Sequence, residues 1–340
     1  MLNRMRIGFC GLGLIGTQRF EGIKSLQTTE SAQIIEIAGC YDPAHIEKQG
    51  LYEFSEFSLA SLGLLIEAEP DLVFVSTPHH AVADICQSLL SKGIRVHVEK
   101  PLGRNLAEAK YLCSLDRSGS SLTVGFNYRF FRGVEGLLRD IRKGVFGQII
   151  SIEMSLGHGG APSDKSSWKL DPLFAGGGSL LDPGVHLIDL CQQIAPDLKL
   201  EYARSWSGYW NTGIEEEVTV AFSSEQVPSI IIKSSIVRWR SEFSLRVNGT
   251  DGYGLVAGRG RSYGAQTYTR GKRWGWLGGA SQTESEELVC VDECIDSFLR
   301  EMSQLITPSE TSPKVATANE GLLIMQSVDD IYSMMDKSTT

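Results

Sequence analysis

The stretch Gly11-Leu12-Gly13-Leu14-Ile15-Gly16 constrains this chain more than any other. It follows a short apolar run, Met5 to Cys10, and precedes Thr17 to Leu26 at helical spacing. G-x-G-x-x-G thus stands in the strand, tight turn, helix context that gives it meaning. There Gly11 permits the turn, Gly13 lets a pyrophosphate approach the backbone, and Gly16 lets helix and strand pack closely. Leu14 and Ile15 fall at the helix N-terminus, whose free N–H groups and partial positive charge suit phosphate. A second apolar run, Ile34 to Cys40, ends at Tyr41-Asp42. An acidic residue at that strand end hydrogen-bonds a ribose diol and repels a 2′-phosphate, so Asp42 favours NAD over NADP.

The alternation continues. Leu59 to Ala68 reads as a helix, Asp71 to Ser76 as a buried strand, and Thr77-Pro78 as the turn after it. Ala81 to Lys92 is a helix ended by Gly93, Ile94 to Val98 a strand, Asn105 an N-cap, and Leu122 to Phe126 another strand. Strands separated by helices imply an α/β fold with a doubly wound parallel sheet of Rossmann type. Thr77, Pro78, Glu99, Lys100, Asn127 and Arg129 then all fall at the carboxyl ends of strands, where such sheets bind ligands.

From about Gly147 the pattern changes. Gln148 to Leu156 is a long strand, a glycine-rich stretch at Gly176 introduces a helix from Pro183 to Ile194, and extended runs follow at 199–208, 215–223, 227–237, 241–248 and 252–257. This predicts an α+β domain with a large, open, mostly antiparallel sheet, one face on its helices and the other suited to a second subunit. Residues 258–283, with Trp274 and Trp276, read as a long irregular loop or lid, and helices are expected at 284–305 and 316–336. The expected division is a nucleotide-binding domain over 1–126, a substrate-binding and oligomerisation domain over 127–315, and a final helix over 316–340 packing back on the first domain.

Composition bounds the partners. The 340 residues carry 32 basic and 41 acidic side chains, a net charge of −9, which disfavours nucleic acid. Basic residues do gather at Arg238, Arg240, Arg259, Arg261, Arg270, Lys272 and Arg273, as a solvated sheet face or a site for an anionic group. Seven scattered cysteines in apolar surroundings read as reduced thiols. Cys290 and Cys294, at i, i+4 on an expected helix, suggest core packing more than a metal site, and no metal is expected. No run of eighteen apolar residues or secretory leader is seen, so a cytoplasmic protein with no membrane contact is expected.

Two further stretches carry chemistry. Glu99-Lys100-Pro101 fixes a lysine between a carboxylate and a proline at a strand end. In Gly177-Gly178-Ser179-Leu180-Leu181-Asp182-Pro183-Gly184-Val185-His186, an acid and a titratable base stand at i, i+4, the spacing of one helical face. If the fold brings the two stretches together, Lys100, Asp182 and His186 line one pocket.

GLGLIG, STP, VHVEKPLGRN, GFNYRF and GGGSLLDPGVHLIDL together resemble the Gfo/Idh/MocA oxidoreductases, such as glucose–fructose oxidoreductase and inositol dehydrogenase, over essentially the whole chain. The resemblance implies an NAD(P)-dependent dehydrogenase or reductase acting on CH–OH groups of a sugar, cyclitol or related compound, and a homodimer or homotetramer assembled through the C-terminal sheet. It makes Lys100 the lysine that contacts the nicotinamide ribose and the reacting oxygen. Glu99 helps hold the cofactor end, the bond before Pro101 is cis, and Asp182 and His186 are the acid and catalytic histidine of the substrate domain. One departure stands out: the family often reads T-P-x-x-x-H, and here Val82 occupies that His position, leaving His79 or His80 to compensate or to cap.

Oxidising a secondary alcohol requires removing the hydroxyl proton as hydride leaves the same carbon. A histidine exchanges that proton near neutrality, and a lysine kept charged by Glu99 stabilises the alkoxide. Asp182 would orient substrate or tune His186, and Asn127 and Arg129 could bind substrate, although Arg129 could equally pair with an acid. Trp168, Trp206, Tyr209 and Trp210 could stack on a sugar ring or belong to the core. The same motifs would serve an NAD-dependent glycoside hydrolase using transient oxidation. A non-catalytic NAD-binding sensor would be expected to have lost Lys100, Asp182 or His186.

Overall fold

The computed structural model describes residues 3–27, 33–44, 53–160, 167–274, 284–310 and 313–337. The chain divides into two compact units. One comprises Met1–Asn127, Leu173–Ala175 and Phe298–Met325, and the other Tyr128–Pro172, Gly176–Ser297 and Gln326–Thr340. Residues 298–315, expected in the second domain, thus belong to the first unit. The final helix, expected to pack on the first domain, belongs to the second unit from Gln326 onward.

In the first unit β1 (Asn3–Cys10), α1 (Leu14–Gln27), β2 (Gln33–Tyr41), α2 (Leu62–Glu67), β3 (Leu72–Val75), α3 (Val82–Leu90), β4 (Arg95–Glu99), α4 (Leu106–Leu115) and β5 (Leu122–Gly125) alternate. A short later strand, β14 (Ala316–Thr317), joins the edge, giving the order β14-β5-β4-β3-β1-β2. All pairings are parallel except β14 with β5. Because β1 lies between β2 and β3, the winding reverses there, and ligands bind at the carboxyl ends beside that switch. The strands are apolar because helices cover both faces of such a sheet. Ile7, Phe9, Phe20, Ile23 and Phe74 form a core completed by Phe298, Met302 and Ile306 of α8 (Glu293–Ile306). Gly22 is small for this reason: a Cβ there would come within 2.2 Å of Met302. Asn105 caps α4 as expected, accepting from Glu108 N–H at 3.0 Å.

The second unit holds α5 (Arg132–Arg142), β6 (Ile149–Gly157), α7 (Val185–Ile194), β7 (Lys199–Trp206), β8 (Glu217–Ser223), β9 (Ser229–Ser235), β10 (Glu242–Gly249), β11 (Gly252–Ala257), β12 (Gln266–Lys272) and β13 (Glu284–Cys290). The sheet order is β13-β12-β11-β10-β6-β9-β8-β7, antiparallel except for β6 with β9. Burial alternates along β8, β9 and β10, so one face carries Val218, Val220, Ile230, Ile232, Leu245 and Val247 into the core while the other is open. Between β6 and α7 in sequence lies a short helix, α6 (Pro172–Ala175), whose last three residues belong to the first unit, and α9 (Ala318–Lys337) belongs to the second unit from Gln326 onward.

Three expectations are corrected here. The expected loop over 258–283 contains β12, whose Gln266 and Tyr268 point inward; residues 275–283, including Trp276, lie outside the described residues. The helix expected at 284–305 starts at Glu293, because residues 284–290 pair with β12 as β13. Cys290 is therefore on a strand and only Cys294 on a helix. Cys290, Glu293 and Asp296 do converge, but Arg132 donates to both oxygens of Asp296 at 2.9 Å and its N–H to Glu293 at 2.7 Å. Every cysteine is a free thiol. Among the described residues no helix is long and apolar enough to cross a membrane.

Candidate active site

The glycine turn is built for close approach. Gly11 has φ +84°, where a side chain is strained, and a Cβ there would lie 2.6 Å from the Ser76 carbonyl oxygen. On Gly16 a Cβ would strike the Gly11 carbonyl at 1.9 Å, so α1 can start tight against the turn. Gly13 meets nothing within 4 Å: its missing side chain opens space at the helix N-terminus, where Leu14 is exposed. Asp42 closes the turn from β2, its Oδ2 accepting from Leu12 N–H at 2.6 Å and its Oδ1 from Ala44 N–H at 2.9 Å. At the end of β3 the buried hydroxyls of Ser76 and Thr77 have no partner among the described residues. A buried hydroxyl is costly to leave so. A helix N-terminus, open space at Gly13, an acid at the β2 end and two unmatched hydroxyls fit a dinucleotide.

Beneath this turn lies a charge network that sequence reasoning missed. Arg19 of α1 is fully buried, with Nη2 2.8 Å from Glu99 Oε1 and 2.6 Å from Glu301 Oε2. His97 Nε2 stands 3.7 Å from Glu301, while its Nδ1 meets Thr123 Oγ1 at 3.0 Å. Burial works to lower the Arg19 guanidinium, but Glu99 and Glu301 outweigh it and raise it. Burial works to raise the Glu301 carboxyl, but Arg19 and His97 outweigh it and hold it below the usual range. Gly125 makes room for the pair, since a Cβ there would sit 3.0 Å from Glu99 Oε2. The Glu99 charge, expected to keep Lys100 protonated, is thus balanced by Arg19. Lys100 follows at the end of β4, half-buried, and its bond to Pro101 is cis. The only sign in the sequence was a charged residue beside Phe20 and Ile23 on an otherwise apolar helix face.

Where the family pattern would place a histidine at Val82, His79 and His80 do different work. His79 Nδ1 meets the Ala175 carbonyl at 2.8 Å, the His80 ring packs edge-on against Phe174, and Arg104 donates to the Leu173 carbonyl at 2.6 Å. They grip α6. Asn127 is buried in the helical turn after β5.

In the second unit Asp182 and His186 do not share a helical face, contrary to the i, i+4 expectation. Leu180–Gly184 forms one wide turn in which Asp182 is extended (φ −144°, ψ 102°), and its bond to Pro183 is cis. Helix α7 begins only at Val185, because Pro183 disfavours the helical conformation in the residue before it. His186 is buried in the first turn of α7, its ring stacked on Tyr128. Asp182 Oδ2 is 3.0 Å from Lys169 Nζ. Both residues line a cavity of about 280 Å³ with His158, Ser167, Trp210 and Ile236. A larger open cleft, about 790 Å³, lies around Arg4, Pro70 and Arg95 at the amino ends of the first unit's strands, away from the glycine turn. Arg129, a candidate substrate ligand, is buried and forked onto Asp189, its Nε 3.0 and 2.9 Å from the two oxygens. It serves the scaffold.

Residues 5–126 match the family model described as an oxidoreductase family with NAD-binding Rossmann fold, and residues 137–253 match that of the GFO/IDH/MocA C-terminal domain. The chain belongs to the GFO/IDH/MocA family. Its first unit is therefore an NAD-binding Rossmann fold. The chain is 28% identical over 180 residues to the rhizopine catabolism protein MocA of Rhizobium meliloti, covering 52% of this chain and 55% of that protein. It is 33% identical over 130 residues to a putative UDP-kanosamine synthase oxidoreductase subunit of Amycolatopsis mediterranei, covering 38% and 36%. The matches thus span about half or less of these curated relatives. Among solved structures, levoglucosan dehydrogenase in complex with NADH and levoglucosan shares the fold, with TM-score 0.83, 16% identity and 98% coverage of both chains.

Against this family background, the basic residues of the third quarter serve mainly the fold. Arg238 faces Glu217 at 3.3 Å, Arg261 faces Asp292 at 3.3 Å, and Arg270 faces Asp140 at 2.9 Å. Arg273 donates to the Gly249 carbonyl at 3.0 Å, and Arg259 lies 3.8 Å over the Tyr263 ring. Of the aromatic candidates only Trp210 lines the cavity, whereas Trp206 and Tyr209 are exposed.

Proposed function

We propose that this family member is an NAD-dependent dehydrogenase or reductase that transfers hydride between nicotinamide and a secondary hydroxyl or carbonyl of a sugar, cyclitol or sugar derivative. The observation that carries this reading is the Asp182 turn. It holds a carboxylate out of the helix at the wall of a cavity whose other walls are one aromatic face and several hydrogen-bonding groups. Such a lining suits a polyhydroxylated ring. An uncharged ring is favoured over a phosphorylated or acidic one, because Lys169, the one lysine or arginine among the described residues lining the cavity, is already paired with Asp182, and Arg238, Arg261 and Arg270 have partners of their own.

When bound, NAD would supply the hydride acceptor. This chain's own residues do the rest. Gly11, Gly13, Leu14, Ile15 and Gly16 hold the pyrophosphate, Asp42 takes the ribose diol, and Thr77, Pro78 and Glu99 border the cofactor. Lys100 stabilises negative charge on the reacting oxygen, His186 exchanges its proton, and Asp182 orients the hydroxyls, with Asn127 a further substrate ligand. NADP is the poorer cofactor because Asp42 repels its 2′-phosphate. The open face of the eight-stranded sheet, where Ile150, Tyr202, Trp206 and Ile231 are exposed, is proposed to form the contact of a homodimer or homotetramer. Seven free thiols suit a reducing, cytoplasmic setting.

The experiment is the formation of NADH from NAD by purified protein over a panel of sugars, cyclitols and glycosides, with NADP in parallel. Substrate-dependent reduction supports the reading. Tight NADH binding with glycoside cleavage and no net reduction would replace it by redox-assisted hydrolysis. Binding without turnover on any substrate would leave a sensor.

A further inference from the structure

Two adjacent carboxylates ahead of β8 hold two walls of the cavity just described, and neither was among the sequence candidates. Three donors converge on Glu215 Oε1: the N–H groups of Gly178 and Leu180 and the hydroxyl of Tyr332, each at 2.9 Å. The Glu215 carbonyl accepts the Ser179 N–H at 2.8 Å. Three consecutive backbone N–H groups of the glycine turn therefore end on one residue. The glycines are small because of these partners. A Cβ on Gly177 would come within 2.1 Å of the Tyr332 oxygen, and one on Gly178 within 2.0 Å of the Glu215 carbonyl oxygen. Tyr332 stands 117 residues from Glu215 in sequence, on the terminal helix α9.

What is fixed at Gly178 and Ser179 is passed on. The Asp182 N–H donates to the Gly178 carbonyl at 2.8 Å, and the Gly184 N–H to the Ser179 carbonyl at 2.8 Å, one residue before α7 and two before His186. Glu216 repeats the device on another wall. Fully buried, it accepts from the N–H groups of Tyr209 and Trp210 at 2.8 Å each and of Asn211 at 3.2 Å. Carboxylates that accept several backbone N–H groups make strong, charge-assisted bonds. They hold a loop more rigidly than a neutral acceptor would.

We propose that Glu215, clamped by Tyr332, and Glu216 are positioning residues for substrate, setting through the backbone where Asp182, His186 and Trp210 stand. This inference rests on reading the cavity as the substrate site. It gives the three-glycine run a role unlike that of the nucleotide turn: it admits a carboxylate and a phenol of this same chain instead of a phosphate. It also makes the terminal helix a working part of the site.

The test compares Tyr332→Phe, which keeps the ring and loses the donor, with Glu215→Gln, which keeps the acceptor oxygen, and Glu215→Ala. Four quantities are read: kcat and KM, NADH affinity by fluorescence, melting temperature, and the ring ¹⁵N resonances of His186, identified by their loss in His186→Ala. Misplacing reacting groups by about 1 Å costs about 100-fold, so Glu215→Ala should lose about that in kcat. Tyr332→Phe should lose about 10-fold, the worth of one hydrogen bond to a charged group. Glu215→Gln should recover most of the alanine loss. NADH affinity should stay unchanged, and the His186 resonances should move in the alanine and phenylalanine variants while those of His97 stay put. A lowered melting temperature with wild-type kcat per folded molecule and an unmoved His186 would overturn the proposal. If Glu215→Ala does not fold, the other two variants decide. Should the wild type turn over no substrate, the functional reading fails by itself. The His186 resonances then still decide, a shift supporting the clamp and no shift refuting it.

Discussion

The ring of Tyr128 lies parallel to the imidazole of His186, the centroids 4.0 Å apart and the planes 10° from each other. Phe131 stacks on Tyr128 at 4.2 Å, and Phe243 meets both Tyr128 and Phe131 edge-on. The proposed catalytic base is thus seated on an aromatic cluster. Tyr128 itself is buried, which pushes its phenol well above the usual tyrosine value although Arg259 nearby works the other way. Burial thus favours the neutral phenol as the platform.

Replacing that platform should loosen His186 without removing it. An aromatic stack contributes about 0.5–1.5 kcal/mol beyond the area it buries, so Tyr128→Leu should lower kcat up to about tenfold. Tyr128→Phe keeps the ring and should stay near wild type. Steady-state kinetics on a substrate found in the NADH assay would check this, and equal losses in both variants would show that the hydroxyl, not the stack, matters.

Acid should unfold the first unit through Glu301. Its carboxyl is held below the usual range, chiefly by Arg19 and then His97 against the opposing effect of burial. A depressed carboxyl contributes stability that is full above the ordinary glutamate value of about 4.3 and is lost as pH falls through its own lower value. Urea midpoints should therefore drop below about pH 4.3, and Glu301→Gln should flatten that limb. At neutral pH the same substitution should cost about 3 kcal/mol, because a buried pair loses one member. Unchanged midpoints at both pH values would remove the network from the stability of the fold.

Lys100→Ala and His186→Ala should separate chemistry from cofactor binding. Removing a general base typically costs about 10²–10⁴-fold, and His186→Ala should lose that much in kcat with NADH affinity intact. Lys100→Ala should lose at least as much, with some weakening of NADH, since the resemblance sets that lysine against the nicotinamide ribose. Full NADH formation in either variant would remove that residue from the mechanism.

The parts of this molecule that the sequence made legible are those whose residue types act locally. Gly11 needs φ +84° and Gly16 a bare Cα, and both needs show as glycine. Strand and helix alternation up to Gly125 follows from continuous apolar runs such as Leu72–Val75. Legibility ends where partners are distant or the backbone breaks its period. Glu284–Cys290 reads as helix by composition and becomes strand only because β12 pairs with it. Asp182 leaves the helical face because of a proline one residue on, an effect that i, i+4 counting ignores. Arg19 and Glu99 are 80 residues apart, and Glu215 and Tyr332 are 117 apart, so no local pattern announces either pair. The sequence left Arg129 open between a substrate ligand and an ion pair, because its acid, Asp189, lies 60 residues away.

The proposed reading makes cofactor choice turn on Asp42. The carboxylate is fixed at the end of β2, one oxygen on Leu12 N–H and the other on Ala44 N–H, while Gly11 N–H bonds the Tyr41 carbonyl at 2.9 Å. In the proposed reading, a carboxylate held against the glycine turn in this way faces the ribose diol. It can accept from that diol, and it repels a 2′-phosphate there. Asp42→Ala removes both effects. Losing a hydrogen bond to a charged group should lower kcat/KM for NAD about 10- to 100-fold, while kcat/KM for NADP rises or holds, so the preference narrows or inverts. Asp42→Asn should fall between, since it keeps one acceptor oxygen and drops the charge. The measurement is the ratio of kcat/KM for the two cofactors in the three proteins. A wild type that uses both equally, or a ratio unmoved by Asp42→Ala, would place the discrimination elsewhere in the nucleotide site.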